Sequence, residues 1–488
     1  MKISKKRYYG AIDQGTTSTR FIVFDEKFNI KSISQKEHKQ IYPKPGYVEH
    51  NPTEILKNTK FTIRQALKKA KIKGSDLVSV GITNQRETFV IWNPKTGKPY
   101  MNAVVWQDTR SKDILKEYHN KKNYISNITG LPVSTYFSAT KLKFILDNNP
   151  KLRKKVKEKK LLFGTIDSYL IWNLTDNHYT DTTNASRTLL MNLKNLEWDL
   201  RLTKLFNIPK SILPKIKHSI SDFGYCSEFG FSINAILGDQ QAALFGQTCF
   251  EEGEIKNTYG TGCFTLLNTG KKIVKSKYGL ISTVAFSSTN EKFYALEGSV
   301  GVAGSLLQWL RDNLGIVKSA QEVDILASKV QDNGGVYIVP AFTGLFAPYW
   351  KPEARGIISG LTNYANKNHI CKASIEAVAF QTKELILAME KESKVKIIDL
   401  KVDGGMVKSK TLMQFQADIL NKNIICPKNL ETTALGVALA SAYSIGVFEN
   451  LDEIRKTYKK QKIFKPKMDY DRAYNLYKNW KRTLMLTY

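Results

Sequence analysis

The chain opens on a strand–turn–strand unit and repeats that unit near its midpoint. Tyr8-Tyr-Gly-Ala-Ile-Asp13 is an apolar run that ends on a carboxylate, and Gln14-Gly-Thr-Thr-Ser18 has the composition of a turn. Arg20-Phe-Ile-Val-Phe24 is a second apolar run, and Glu26-Lys-Phe-Asn29 turns the chain into a third. In the second half, Ile255 to Tyr259 reads as a strand, Gly260-Thr-Gly262 as a tight turn and Cys263 to Asn268 as the returning strand. Each half therefore begins with a hairpin whose tip carries Gly and Thr. This recurrence predicts a duplicated α/β domain. The 488 residues would by length alone divide into about three domains. The repeat reduces that to two, 1–248 and 249–488, joined at Phe245-Gly-Gln-Thr-Cys-Phe-Glu-Glu-Gly253. No low-complexity linker separates them, so the expected interface is intimate and hinged.

The other elements fit an α/β chain. Asn51-Pro-Thr-Glu54 carries a cap and a proline at the first helical position, predicting a helix to about Ala70. Val78 to Ile82 reads as a strand. Ile236-Leu-Gly-Asp239 reads as a strand running into a helix with small residues at its start. Thr432 to Phe448, rich in Ala, Gly, Ser and Thr, is too short and too polar to cross a membrane and reads as a helix in a crowded interior. Asn333 to Trp350 is broken by prolines and glycines. The basic start at Met1 meets Asp13 before any apolar stretch, unlike a secretory signal.

Composition excludes several classes. Five cysteines lie far apart with no C-x-x-C pair, which argues against a disulfide scaffold or structural zinc and for a reducing, cytoplasmic setting. Six scattered histidines form no metal-binding pattern. The net charge of +30 comes from 61 Lys and only 13 Arg against 44 acidic residues. The lysines cluster at Lys2 to Arg7, Lys68 to Lys73, Lys151 to Lys160, Lys271 to Lys277 and Arg455 to Lys467. Base readers favour arginine, and single-strand binders interleave aromatics; these clusters do neither. The excess charge reads as a solvated surface, with no nucleic-acid partner expected.

Several segments carry chemistry. Glycine-rich turns let backbone N–H groups approach a phosphate, and threonine and serine hydroxyls add donors. Asp13-Gln-Gly15-Thr16-Thr17-Ser18-Thr19-Arg20 combines such a turn with an acidic strand end suited to hydrated Mg²⁺ and with a guanidinium fork. Gly260-Thr261-Gly262 and Asp403-Gly404-Gly405 are further turns of this kind. Three such turns spread over the chain fit a nucleotide held between two domains. No Walker A sequence is present, because Gly97-Lys98 is followed by Pro99 and Gly270-Lys271 by Lys272. Asp239 stands at a strand end beside a helix N-terminus, either facing a cleft or acting as a helix cap. Arg86 and Glu87 offer adjacent donors and acceptors suited to a small polyol, with Trp106 as an apolar wall; a structural ion pair and a core tryptophan are the alternative.

Taken in order, Asp13-Gln-Gly-Thr-Thr-Ser, Asn84-Gln-Arg-Glu-Thr, Val105-Trp-Gln, Gly238-Asp-Gln-Gln, Tyr259-Gly-Thr-Gly-Cys-Phe264, Pro340-Ala-Phe-Thr-Gly344 and Asp403-Gly-Gly405 resemble the FGGY carbohydrate kinases, specifically the members that act on glycerol. Ile41-Tyr-Pro-Lys-Pro-Gly46, Thr183-Asn-Ala-Ser-Arg187 and Leu412-Met-Gln-Phe-Gln416 match as well. The resemblance implies the two-domain actin/hexokinase-like (ribonuclease H-like) ATPase fold with a catalytic cleft between the domains. It implies ATP, Mg²⁺ and glycerol as partners, no membrane insertion, and a homo-oligomer, dimer or tetramer. It places glycerol against Arg86, Glu87, Trp106, Tyr136, Asp239, Gln240 and Phe264, with Asp239 as general base. It places nucleotide and phosphate against Thr16, Thr17, Ser18, Arg20, Thr261, Gly262, Gly304, Gln308, Gly405 and Ser409, and metal near Asp13 and Asp239. A related kinase acting on a ketopentose is the alternative reading.

The sequence also departs from the family pattern. Ser409 stands where many members have Asn, Phe346 replaces a Gly, and Gly301 replaces a bulky residue. Ser219 to Asn234 lacks the arginine-bearing loop that binds fructose bisphosphate in some bacterial members and has no histidine for phosphorelay control.

Overall fold

The computed structural model describes residues 7–488 apart from Thr343 and Pro352. Residues 1–6 of the basic start, and Thr343 of the Pro340–Gly344 stretch, lie outside the described residues. The first large sheet contains β1 (Tyr8–Gln14), β2 (Ser18–Phe24), β3 (Ile30–Glu37), β4 (Leu77–Asn84), β5 (Ile220–Cys226) and β6 (Phe231–Gly238). The second contains β7 (Ile255–Tyr259), β8 (Cys263–Asn268), β9 (Ile281–Ser287), β10 (Lys292–Val300), β11 (Asp399–Asp403), β12 (Asn423–Pro427) and β13 (Lys460–Phe464).

The first sheet runs β5-β6-β4-β1-β2-β3 and the second β9-β10-β8-β7-β11-β12-β13. β1 pairs antiparallel with β2 and parallel with β4, which pairs parallel with β6. β7 pairs antiparallel with β8 and parallel with β11, which pairs parallel with β12. Matching β3, β2, β1, β4, β6 to β10, β8, β7, β11, β12 preserves order and direction. The duplication expected from the two hairpins is thus realised as one mixed-sheet topology used twice.

Parallel pairs need long crossovers, and helices supply them. α1 (Pro52–Ala70) connects β3 to β4; Asn51 caps it by accepting from the Thr53 and Glu54 N–H groups, with Pro52 opening the helix. Its buried Ile55, Thr59, Thr62, Ile63 and Ala66 recur at helical spacing and face the sheet. Four further helices are α2 (Asp239–Gly246), α3 (Gly304–Asp312), α4 (Lys367–Ser393) and α5 (Lys410–Leu420).

α6 (Thr432–Ser444) crosses α2 at glycines. A Cβ on Gly436 would lie 1.9 Å from the Ala242 carbonyl oxygen, and one on Gly246 2.0 Å from that of Thr432. Only glycine permits backbones this close. α6 also lies against β1, β4 and β6. One core joins Tyr9, Ala11, Ile22 and Phe24 of the first sheet to Ala434, Val437 and Ala438 of α6, and extends to Leu266, Ala285 and Ala295 of the second sheet. The hairpins separate the halves in sequence, but this one core is common to both. Among the described residues no helix is long and apolar enough to cross a membrane.

Candidate active site

Arg86 and Glu87 follow the C-terminal end of β4, in the turn to the next short strand. Glu87 is buried with φ of 61°, the left-handed region that costs a non-glycine residue energy and that clusters at functional sites. The two residues do not pair with each other. Arg86 forks onto Glu297 of β10 (Nη1 to Oε2 2.5 Å, Nη2 to Oε1 2.8 Å). Its Nε lies 3.1 Å from Asp239 Oδ1. Glu87 accepts from Arg187 Nε at 2.6 Å, and Arg187 Nη2 reaches Glu297 Oε1 at 3.1 Å. The adjacent pair is therefore wired through two outside residues. Burial pushes the Glu297 carboxyl up, but Arg187 and Arg86 outweigh it and hold the group at about 2. Burial pushes Glu87 upward, opposed by the same two arginines.

Trp106 and Tyr136 form the wall, edge to face with ring centroids 5.6 Å apart. The Trp106 indole N–H donates to Thr16 Oγ1 at 3.1 Å, so this hydroxyl of the first hairpin tip is tied to the wall. Both aromatic residues are anchored by Lys141, a fully buried lysine whose Nζ donates to the carbonyls of Val105 (3.0 Å), Trp106 (3.3 Å) and Tyr136 (3.2 Å). Burial pulls its ammonium down to about 7.

Asp239 is the first residue of α2. Its Oδ1 accepts from the Gln240 N–H at 2.7 Å, and the side chain remains about one-third exposed. Gln240 Oε1 accepts from Lys256 Nζ at 2.5 Å; Lys256 is buried on β7 and also donates to Thr258 Oγ1 (2.9 Å) and the Phe264 carbonyl (3.3 Å). This lysine brings Gln240 and Phe264 together. Burial lowers it to about 8, while Asp403 and Asp239 oppose the shift. Asp13, next to last in β1, is a buried carboxylate 3.9 Å from Arg20 Nε. Burial lifts its carboxyl to about 6; Arg20 opposes this, and Glu431 and Asp239 add to it. Arg20 is bound across the seam to Glu431, at 2.5 Å. Ser18 is buried and accepts from Gln35 at 3.2 Å, and Thr17 is exposed at the tip.

The second hairpin tip faces α3. The Gly304 N–H donates to the Gly260 carbonyl at 3.0 Å, and the Ala303 and Ser305 N–H groups to that of Thr261 at 2.9 and 3.1 Å. Thr261 and Gln308 are exposed, while Gly262 is buried against the Val300 carbonyl. Gly404, with φ of 92°, lies against the Tyr259 backbone, and a Cβ on the neighbouring Gly405 would meet nothing within 4 Å. Of these turn glycines, Gly405 leaves its backbone facing open space. Ser409 caps α5 by accepting from the Leu412 N–H at 3.0 Å, and its hydroxyl donates to Asp324 Oδ1 at 2.5 Å. The Asp403 carboxylate accepts from Gln247 and Thr432 at the seam, at 2.9 and 2.8 Å. Among the described residues no three His, Cys, Asp or Glu side chains are arranged to hold a metal unaided.

Residues 8–246 match the N-terminal domain of the FGGY family of carbohydrate kinases, and residues 255–445 match its C-terminal domain. This chain belongs to the FGGY carbohydrate kinases. It is 51% identical over 489 residues to a glycerol kinase of Brucella anthropi, covering 98% of each chain. It is 51% identical over 492 residues to one of Chloroflexus aurantiacus, covering 99% of each. The crystal structure of Plasmodium falciparum glycerol kinase with ADP superposes with a TM-score of 0.94 at 38% identity, covering 99% of this chain and 98% of that one. A ligand-bound xylulose kinase of Lactobacillus acidophilus superposes at 0.88 with 22% identity and 99% coverage of both, which speaks to the fold alone.

Gly301 and Phe346 meet in space. A Cβ on Gly301 would lie 2.1 Å from Cε2 of Phe346, so the Phe346 ring occupies the room that a side chain at 301 would need. Three buried charges escaped the sequence reading altogether. Glu297 ends the apolar run Phe293–Leu296 of β10, and Lys256 is a charge inside the short strand β7, which was a usable signal; Lys141 on a lysine-bearing helix gave none.

Proposed function

We propose that this FGGY kinase phosphorylates glycerol at a terminal hydroxyl, using ATP, to give sn-glycerol 3-phosphate. The observation that carries the reading is the Arg86–Glu87 pair, fixed in a buried network and walled by Trp106 and Tyr136, with Asp239 bonded to the same arginine. Arg86 and Glu87 orient the triol. Asp239 takes the proton of the attacking hydroxyl, and its partial exposure leaves it accessible to substrate. Gln240, fixed by Lys256, and Phe264 complete the pocket.

ATP enters as its magnesium complex. Bound Mg²⁺ neutralises phosphate charge, and such an ion is characteristically held by one or two carboxylates plus phosphates rather than by a protein cage. Buried Asp13, its charge already opposed by Asp239 and Glu431, fits that donor set. The open backbone at Gly405 and the exposed Thr261 of the Gly260–Gly262 turn suit polyphosphate and nucleotide, with Thr16, Thr17, Ser18, Arg20, Gly262, Gly304, Gln308 and Ser409 completing the set. Closure of the halves, divided near residue 248, would exclude competing water. Five buried free thiols suit a cytoplasmic setting. The expected homo-oligomer is read by light scattering.

The test is a panel of polyols and ketoses in a coupled ADP-release assay. Glycerol is turned over; a ketopentose used in its place, with glycerol inert, overturns the reading. Asp239→Asn lowers kcat by roughly 10²–10⁴-fold with nucleotide binding retained. Near-normal turnover removes Asp239 as the base.

A further inference from the structure

The residues that face glycerol in the reading above come almost entirely from the first half, yet they are held by a carboxylate from the second. Glu297 lies inside β10, between β8 and β9, opposite Leu266 and Ile281. It is buried, as are Arg86, Arg187 and Glu87. Both of its oxygens are committed: Oε2 to Arg86 Nη1, and Oε1 to Arg86 Nη2 and Arg187 Nη2. Arg187 in turn holds Glu87 through Nε, and its Nη1 has no partner among the described residues. The two arginines and two glutamates balance in charge, and every link is a charge-assisted bond out of water. We propose that Glu297 is the positioning residue of the acceptor site: it sets Arg86 directly and Glu87 through Arg187, so that glycerol affinity depends on contact between the two halves.

The physical argument turns on what Arg86 does without Glu297. Its remaining carboxylate contact is Asp239, 3.1 Å from Nε. A guanidinium that has lost a two-pronged partner in a dry site moves to the nearest remaining anion. Arg86 would then close on Asp239, and Arg187 would pull Glu87 out of place. Both changes spoil the grip on the triol. Neither touches the glycine turns on the nucleotide side.

The inference rests on glycerol being the acceptor, and the experiment separates the two. Steady-state kinetics are run on the parent, Glu297→Gln, Glu297→Asp and Arg187→Lys, varying glycerol and ATP independently, with melting temperatures alongside. Glu297→Gln keeps the shape and removes the charge; glycerol KM rises about ten- to a hundred-fold while ATP KM stays within about two-fold. Glu297→Asp, which keeps the charge, recovers part of the loss. Arg187→Lys keeps its charge but loses the fork and moves glycerol KM in the same direction. A folded Glu297→Gln with parental glycerol KM overturns the proposal. So does a lower melting temperature with both KM values changed alike, the signature of a purely structural role. Should Glu297→Gln fail to fold, an unchanged glycerol KM in Arg187→Lys overturns it. A parent protein inert toward glycerol overturns the functional reading instead.

Discussion

Asp13 is a carboxylate placed where its charge is costly. Its carboxyl lies near 6 against a usual 3.8, chiefly through burial. A raised pKa means that its stabilising contribution is complete below pH 3.8 and is lost as pH rises through about 6. In metal-free protein, Asp13→Asn therefore stabilises by at most about 3 kcal/mol at pH 8 and by less at pH 5, raising the melting temperature more at the higher pH. Thermal unfolding in chelator at the two pH values checks this; equal shifts at both remove Asp13 as the cause. Such a gain alongside lost activity marks a residue kept for function. Gly301 and Phe346 make a second residue-scale prediction. Gly301→Phe alone crowds the Phe346 ring and destabilises by at most about 1 kcal/mol, the low end of overpacking costs, because Phe346 is partly exposed. Adding Phe346→Gly recovers most of that, which a double-mutant cycle measures. Both residues stand out in the sequence, but their contact does not, because 45 positions of chain separate them. Glu297 was hidden for the same reason: an acid in an apolar strand signals a buried partner without naming one.

Local elements were the most legible layer. Ile255–Tyr259 and Cys263–Asn268 stand as strands with the boundaries read from their apolar runs, and α1 begins at the Asn51–Pro52 cap. Turn chemistry and capping act over a few residues, so local sequence decides them. The order of strands is decided by pairing between distant segments, and sequence pattern alone did not give it. The crossing of α2 and α6 is of that kind. Gly436 reads as one more small residue in an Ala-rich helix until the Ala242 carbonyl is found 1.9 Å from where its Cβ would stand. Gly436→Ala is expected to cost at least about 2 kcal/mol. Denaturant midpoints check this, and a change below about 0.5 kcal/mol would show that the helices part without strain.

At the scale of the molecule, the charge excess settles on the surface: Lys68, Lys69, Lys154, Lys157, Lys159, Lys160, Lys271, Lys272, Lys275 and Lys277 of the lysine clusters are exposed. The seam instead holds ion pairs and hydrogen bonds, with Arg20 on Glu431, Arg86 on Glu297 and Lys256 on Gln240. α6 lies on the first sheet although it stands nearly two hundred residues beyond β6. A fragment ending at residue 248 lacks that cover and is expected to melt without a cooperative transition, while co-expression with 249–488 restores one; calorimetry distinguishes the two. The same feature has a consequence for synthesis on the ribosome. At about 5–20 residues per second, roughly 10–40 s pass between completion of the first sheet and emergence of the helix that covers it. Through that interval the nascent chain carries an apolar face with no partner of its own, and chaperone demand should peak there rather than at the end of translation.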